Sequence, residues 1–167
     1  MIRRLAVAFA ISVLFVFSLI GCGEKEASAS TARTGNTVTA PPLLNLDIAG
    51  LLTPEQVSGA LGITVGEALV TDEDTTVRYY SEDTLSYSEI SMMECGRDIF
   101  DSTAALYTDA ADTQNLGQAA KWSAEGKQLL VYSGKYMISV SVSAAGKSDE
   151  NLLISARQIA ALILEKI

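Results

Sequence analysis

Residues 128–143 constrain the fold of this chain most, because they combine an alternating strand with a tight turn. Beyond Gly134-Lys135, apolar positions alternate with Met137 and three serines, the apolar ones being Tyr136, Ile138, Val140 and Val142. A period of two is typical of a strand with one buried face and one wet face. A Gly-x pair between two such segments suits a two-residue turn. The pattern therefore predicts an antiparallel hairpin in which residues 128–133 pair with residues 136–143.

The first helix is predicted from its ends. Thr53-Pro54-Glu55-Gln56 has the form of a capping box with proline in the first helical position. Leu52 and Val57 stand at the two positions of a hydrophobic staple, and Gly62 supplies a stop. We expect a helix over residues 54–61 that buries Val57 and Leu61.

The remaining elements follow from changes of period. Residues 77–93 predict two strands with a turn at Glu82-Asp83, and residues 119–124, around Trp122, predict another. Residues 97–111 predict a helix with one buried face, made of Ile99, Phe100, Thr103, Leu106, Tyr107 and Ala110. Ser148 is placed to cap a last helix that runs to about residue 166. The order helix–strands–helix–strands–helix predicts an α+β fold, an antiparallel sheet with helices packed on one face.

The first 22 residues carry an export signal. Arg3 and Arg4 precede an apolar run at residues 5–20, which closes on Leu19-Ile20-Gly21-Cys22. This order resembles the lipobox of bacterial lipoproteins, which implies cleavage before Cys22 and lipidation of that cysteine. A retained membrane span is the first alternative, but the run falls short of the ~20 residues that cross a bilayer. Cleavage by the ordinary signal peptidase is the second, and the small-x-small site it prefers is poorly matched here.

Composition divides the chain into three parts. We expect a signal peptide at residues 1–21, a lipidated cysteine with a flexible Ser-, Thr- and Ala-rich tether at residues 22–42, and a single α+β domain at residues 43–167. Leu51-Leu52-Thr53-Pro54-Glu55, Leu61-Gly62 and the final strand and helix resemble small secreted bacterial lipoproteins of unknown function. The lipobox resemblance implies a location on the cell membrane or outer membrane, outside the cytoplasm.

The inventory of reactive side chains argues against an enzyme. The chain has no histidine, which removes the Ser–His and Cys–His nucleophilic systems and the commonest zinc ligand. Phosphate-binding glycine loops, Cys-x-x-Cys and Ser-x-x-Lys are absent from the sequence, and no cofactor is expected. Carboxylate chemistry, a Ser–Lys pair assembled by the fold, and Cys95 remain. We expect Cys95 to be a small buried residue, with a reactive thiol as the alternative.

Negative charge is concentrated in one segment. Residues 67–112 carry twelve carboxylates against Arg78 and Arg97, a net charge of −10. A surface of this sign repels phosphate, so nucleic acid is not an expected partner. The acids cluster beside two tyrosines, and we predict a partner- or ion-binding face made of Asp72, Glu73, Asp74, Tyr79, Tyr80, Glu82 and Asp83. At least one ring of Tyr79-Tyr80 is expected to face outward.

These observations predict a non-catalytic binding or accessory module of the cell envelope, anchored to the membrane through its N-terminal lipid. Its expected partner is an envelope protein or the cell wall. One alternative is a calcium-binding domain using the loop carboxylates, although their spacing is not that of an EF-hand and no specific metal ligand is assigned. A further alternative is a carboxylate-dependent hydrolase acting on wall polymers.

Overall fold

The computed structural model describes residues 46–71 and 75–167. Helices and strands alternate in the predicted order. The helices are α1 (Pro54–Leu61), α2 (Arg97–Ala104) and α3 (Asp149–Leu164). The strands are β1 (Leu69–Thr71), β2 (Thr76–Tyr80), β3 (Tyr87–Glu94), β4 (Ala111–Asp112), β5 (Ala119–Ser123), β6 (Gln128–Tyr132) and β7 (Tyr136–Ser143).

The strands form one seven-stranded sheet in the order β1-β2-β3-β7-β6-β5-β4. Every neighbouring pair is antiparallel. Two meanders, β1–β3 and β4–β7, join where β3 pairs with β7, from Tyr87 opposite Ser143 to Glu94 opposite Tyr136. The predicted α+β class, the antiparallel sheet and the predicted hairpin around Gly134 are therefore confirmed.

Helix α1 has the ends that the sequence predicts. The Thr53 side chain accepts a hydrogen bond from the Gln56 amide, and the Gln56 side chain accepts one from the Thr53 amide. Gly62 ends the helix in the left-handed conformation, with φ of 63°. The Thr53 and Gln56 side chains accept hydrogen bonds from amides that the start of a helix leaves without partners. Both ends of this helix are therefore determined by local sequence.

The main core lies between the sheet and helices α1 and α3. Val57 and Leu61 of α1 and Ile159 and Ile163 of α3 are fully buried against the strands, as is Ile138 of β7. Apolar residues repeat along α3 at helical spacing, which gives it one continuous buried stripe. These two helices share one face of the sheet, as predicted.

Helix α2 differs from the prediction, because it packs on the opposite face. Phe100 and Ala104 form a second core with Leu130, Tyr132 and Met137, whose side chains point away from α1 and α3. Met137 and Ser139 of β7 are consequently buried, where the alternation predicted a wet face. The helix also ends at Ala104 instead of residue 111, and Ile99 and Leu106 are exposed rather than buried.

Two strands were not predicted. Strand β1 has three residues and β4 has two, and both lie at the sheet edges. Segments this short show no readable period, and their extended conformation depends on pairing with the next strand along the chain. Edge strands of this length therefore escape prediction from local pattern.

Candidate functional site

The sheet face opposite α1 and α3 is only half covered by a described helix. Helix α2 covers the part formed by β6 and the start of β7, whereas the part formed by β1, β2, β3 and the end of β7 remains open. Strand register places two cross-strand rows of side chains there. We call this surface the open face, and its residues are Leu69, Arg78, Tyr80, Tyr87, Glu89, Ser141 and Ser143.

Charged and aromatic groups contact one another at the centre of the open face. Arg78 and Glu89 face each other on β2 and β3 and form an ion pair through Nε and Oε2. The Arg78 Nη1 also donates to the Tyr80 hydroxyl at 3.2 Å. Hydrogen bonding to Tyr80, and then to Glu89, raises the pKa of the Arg78 guanidinium above its ordinary value.

Tyr80 and Tyr87 form the aromatic end of the open face. The two rings lie opposite each other on β2 and β3, with centroids 6.0 Å apart and planes tilted by 48°. Both residues are half-buried, so part of each ring remains accessible. The neighbouring positions on β7 are the small residues Ser141 and Ser143, which leave the tyrosines and Arg78 standing above the sheet. Such a surface combines ring area with hydrogen-bond donors and acceptors.

The two adjacent tyrosines of β2 have different roles. Tyr80 faces outward, as expected for at least one of them, whereas Tyr79 is fully buried on the side of α1 and α3. The Tyr79 hydroxyl donates to the Leu52 carbonyl at 2.9 Å. Burial raises the pKa of Tyr79, and the Glu67 and Asp47 carboxylates act in the same direction. Tyr79 therefore belongs to the core and not to the predicted binding face.

Glu82 and Asp83 lie in the turn between β2 and β3, beside an open depression of about 650 Å³ that Ile63, Thr64 and Ala145 also line. Asp83 accepts hydrogen bonds from the Ser81 hydroxyl at 2.5 Å and the Leu85 amide at 3.0 Å. The bond from Ser81, and then that from Leu85, lowers the pKa of Asp83. The Asp83 carboxylate thus holds the turn, and both acids of the pair are exposed.

The remaining predicted acids, Asp72, Glu73 and Asp74, lie outside the described residues. The chain reaches them from Thr71 and leaves toward Thr76, which pair with each other at one end of β2. Glu82 and Asp83 follow Tyr80 at the other end. Residues 46–71 and 75–167 contain no group of three acidic or sulfur ligands able to hold a metal.

The fold does assemble one serine–lysine pair. Lys147 Nζ lies 3.4 Å from the Ser155 hydroxyl, but Ser155 is only 1% exposed and sits within α3. The same ammonium group lies beside Gly62, at the negative end of α1. A buried hydroxyl cannot reach a substrate, so this pair stabilises the helices and forms no nucleophilic site.

Cys95 packs at the edge of the second core. It is half-buried among the residues around Phe100, and it has no disulfide partner among the described residues. Burial raises the pKa of the Cys95 thiol, and the Asp98 carboxylate acts in the same direction. A raised pKa disfavours the thiolate, which is the nucleophilic form. These features fit the structural role expected from the sequence better than the reactive one.

Cys22, where lipidation is predicted, lies outside the described residues. In the described part of the chain, no helix combines the length and apolarity needed to cross a membrane. No protein-family model, curated protein or solved structure matches the chain. The function is therefore inferred from the residues of this chain alone.

Sequence reasoning identified Tyr80 but missed Arg78, Tyr87, Glu89 and the serines of β7 as parts of one surface. The residues of β2 and β3 are separated by only a turn, and the alternation of both strands contains the signal for their shared face. The pairing of β3 with β7 brings in Ser141 and Ser143 from about fifty residues away in sequence. No local pattern contains that pairing.

Proposed function

We propose that this protein is an exported, lipid-anchored binding module of the cell envelope that holds an envelope protein or a cell-wall partner against its open face. The observation that carries the proposal is the uncovered half of the sheet, where Arg78, Tyr80, Tyr87 and Glu89 lie together. The lipobox at Cys22 supplies the anchor, and two or three acyl chains on one cysteine hold a protein to a bilayer.

The composition of the open face supports recognition of a partner. Tyrosine and arginine are enriched among residues that dominate the energy of protein interfaces, and both occur at its centre. The face is also too polar to require permanent burial, since hydroxyl, guanidinium and carboxylate groups separate its rings. A domain with such a surface is stable alone and can still bind a partner reversibly.

Catalysis has less support from the same residues. Glu89 is engaged by Arg78, Asp83 by the turn, and the serine–lysine pair is buried. Asp109, another acid of the segment, accepts hydrogen bonds from the Ser123 hydroxyl at 2.6 Å and the Glu125 amide at 2.8 Å. Glu89, Asp83 and Asp109 thus serve turns and an ion pair, which favours the binding module over the hydrolase.

The anchor is tested by partition into the detergent Triton X-114. The wild-type protein is expected in the detergent phase, and the Cys22→Ala protein in the aqueous phase. Equal partition of both proteins into detergent would contradict lipidation at Cys22.

The binding face is tested by crosslinking in cells followed by purification of the tagged protein. We expect a partner captured by the wild type to be lost, or reduced at least tenfold, in Tyr87→Ala. Ile154→Ala is the matched control, because Ile154 is an exposed apolar residue on α3, on the opposite side of the sheet. Equal loss in both variants, or no captured partner in any of them, would contradict the proposal.

A further inference from the structure

The two edges of the sheet are protected to different degrees. Strand β4 is two residues long and ends in Asp112, whose exposed carboxylate binds Lys121 at 2.9 Å. A short, charged edge resists pairing with another chain. Strand β1 carries no charge, and its side chains Leu69 and Val70 are 56% and 48% exposed. The β1 edge is therefore the one at which a further strand meets least resistance.

The backbone around β1 is arranged to accept a strand. Leu69, Val70 and Thr71 pair with Arg78, Val77 and Thr76 on the inner side, and the Gly66 amide extends this pairing by donating to the Tyr80 carbonyl at 2.9 Å. No described strand pairs with the outer side. Leu69 points to the open face and Val70 to the face of α1 and α3, so an added strand would cover exposed apolar surface on both faces.

The negative charge around β1 favours a cationic partner at this edge. Glu67 is exposed beside β1, and residues 67–112 carry a net charge of −10. A second copy of this chain would bring the same net negative charge to this edge, and the two charges would repel each other. A cationic strand would instead be attracted, with its backbone held by the ladder. Alternation would place its aliphatic side chains beside one of Leu69 and Val70, and the alkyl stems of its basic side chains beside the other on the opposite face.

We infer that the β1 edge binds an extended segment of a partner protein in which basic and aliphatic residues alternate, extending the sheet by one strand. This inference rests on the proposed binding function and specifies how the partner is held. Recognition by strand addition takes its affinity from main-chain hydrogen bonds and its specificity from alternate side chains. The open face continues directly from β1, so the rest of the partner would lie against Arg78 and Tyr80.

The test uses a fluorescent seven-residue peptide of alternating lysine and valine, titrated against the full chain in mild detergent. We expect saturable binding, with slowed amide hydrogen exchange confined to residues 66–71. The matched peptide has the same sequence and charge but carries N-methyl groups on alternate residues, which remove its ladder donors. We expect this peptide to bind at least tenfold more weakly. Equal binding of both peptides, or no binding at 1 mM, would overturn the inference.

Variants of the protein separate the edge from charge in general. Val70→Lys places a repelling charge on β1, whereas Leu85→Lys adds the same charge at a residue that is 68% exposed in the turn after β2. We expect at least a tenfold loss of peptide affinity in Val70→Lys and less than a threefold loss in Leu85→Lys. Similar losses in both would show general attraction and overturn the inference. Leu69→Lys gives the same test should Val70→Lys fail to fold.

The outcomes also separate this inference from the proposed function. Capture of a cellular partner that depends on Tyr87 but is unchanged in Val70→Lys would leave the binding module standing and refute strand addition. Peptide binding at β1 without any captured partner in cells would refute the proposed function, while the edge would still be shown to accept a strand.

Discussion

Replacement of Phe100 by alanine tests the placement of α2 on the second face of the sheet. Phe100 is fully buried, with its ring centroid 5.8 Å from that of Tyr132, and it is the one large side chain by which this short helix packs against the strands. Truncation of a buried phenylalanine removes about 3 to 5 kcal/mol from the free energy of unfolding. For a domain of this size that loss lowers the Tm by roughly 10 to 20 °C.

Urea unfolding followed by the fluorescence of Trp122, the single tryptophan, measures the change. The matched control is Ile99→Ala, one residue earlier on the same helix, where the side chain is 43% exposed. We expect this control to cost less than about 1 kcal/mol. A loss below about 1 kcal/mol for Phe100→Ala, or a larger loss for Ile99→Ala, would refute the second core.

Four further predictions follow from individual contacts. Ser88→Ala should raise the free energy of unfolding by about 1 kcal/mol in urea titrations, because the buried Ser88 hydroxyl has no hydrogen-bond partner within residues 46–71 and 75–167; a lower stability would contradict this. Tyr79→Phe should lower the free energy of unfolding by about 1 to 3 kcal/mol. The pKa of Tyr79 is raised above 10.0, so the stabilisation by its hydroxyl is complete below pH 10.0 and is lost as the pH rises through the folded-state pKa. The Tyr79→Phe protein should therefore lack this loss of stability at alkaline pH. Asp83 and Asp109 have pKa values lowered from 3.8, so their contribution is present above pH 3.8 and is lost as pH falls through the folded values; thermal unfolding of the double Asn variant should show a shallower acid limb, and an unchanged limb would refute the role of these turns. Millimolar calcium should leave the Tm unchanged, and a rise of several degrees would favour the calcium-binding alternative.

Local sequence determined the elements whose ends carry their own chemistry. The capping box before α1, the Gly134 turn between β6 and β7, and the Ser148 cap of α3 each involve residues within four positions of one another. Such signals act before tertiary contacts form and are readable without them. Helices α1 and α3 and the hairpin of β6 and β7 were predicted for this reason.

The buried face of α2 was not readable in the same way. An eight-residue helix has about two turns, so Ile99 and Phe100 are equally good candidates for the inward side. Phe100 is selected by the apolar surface of Leu130, Tyr132 and Met137 on β6 and β7, thirty or more residues away. Strand β7 departs from a simple alternation of buried and exposed residues, because helices partly cover both faces of this strand.

The candidate site shows the same division between local and distant information. Tyr80 could be expected to face outward from its adjacency to Tyr79, and Glu82 and Asp83 were correctly placed in a turn. The open face was not predictable, since it depends on the β3–β7 pairing and on which half of the sheet α2 leaves uncovered. The candidate binding site is therefore the open face of the strands and not the predicted acidic turn.

Site-specific photo-crosslinking in living cells tests whether the open face binds the partner. A photoreactive phenylalanine analogue would replace Tyr87 on the open face or, in a second strain, Ile154 on the outer side of α3. We expect a discrete crosslinked species from position 87 and none from position 154. No species from position 87, or equal yields from both positions, would contradict the claim that the open face binds the partner.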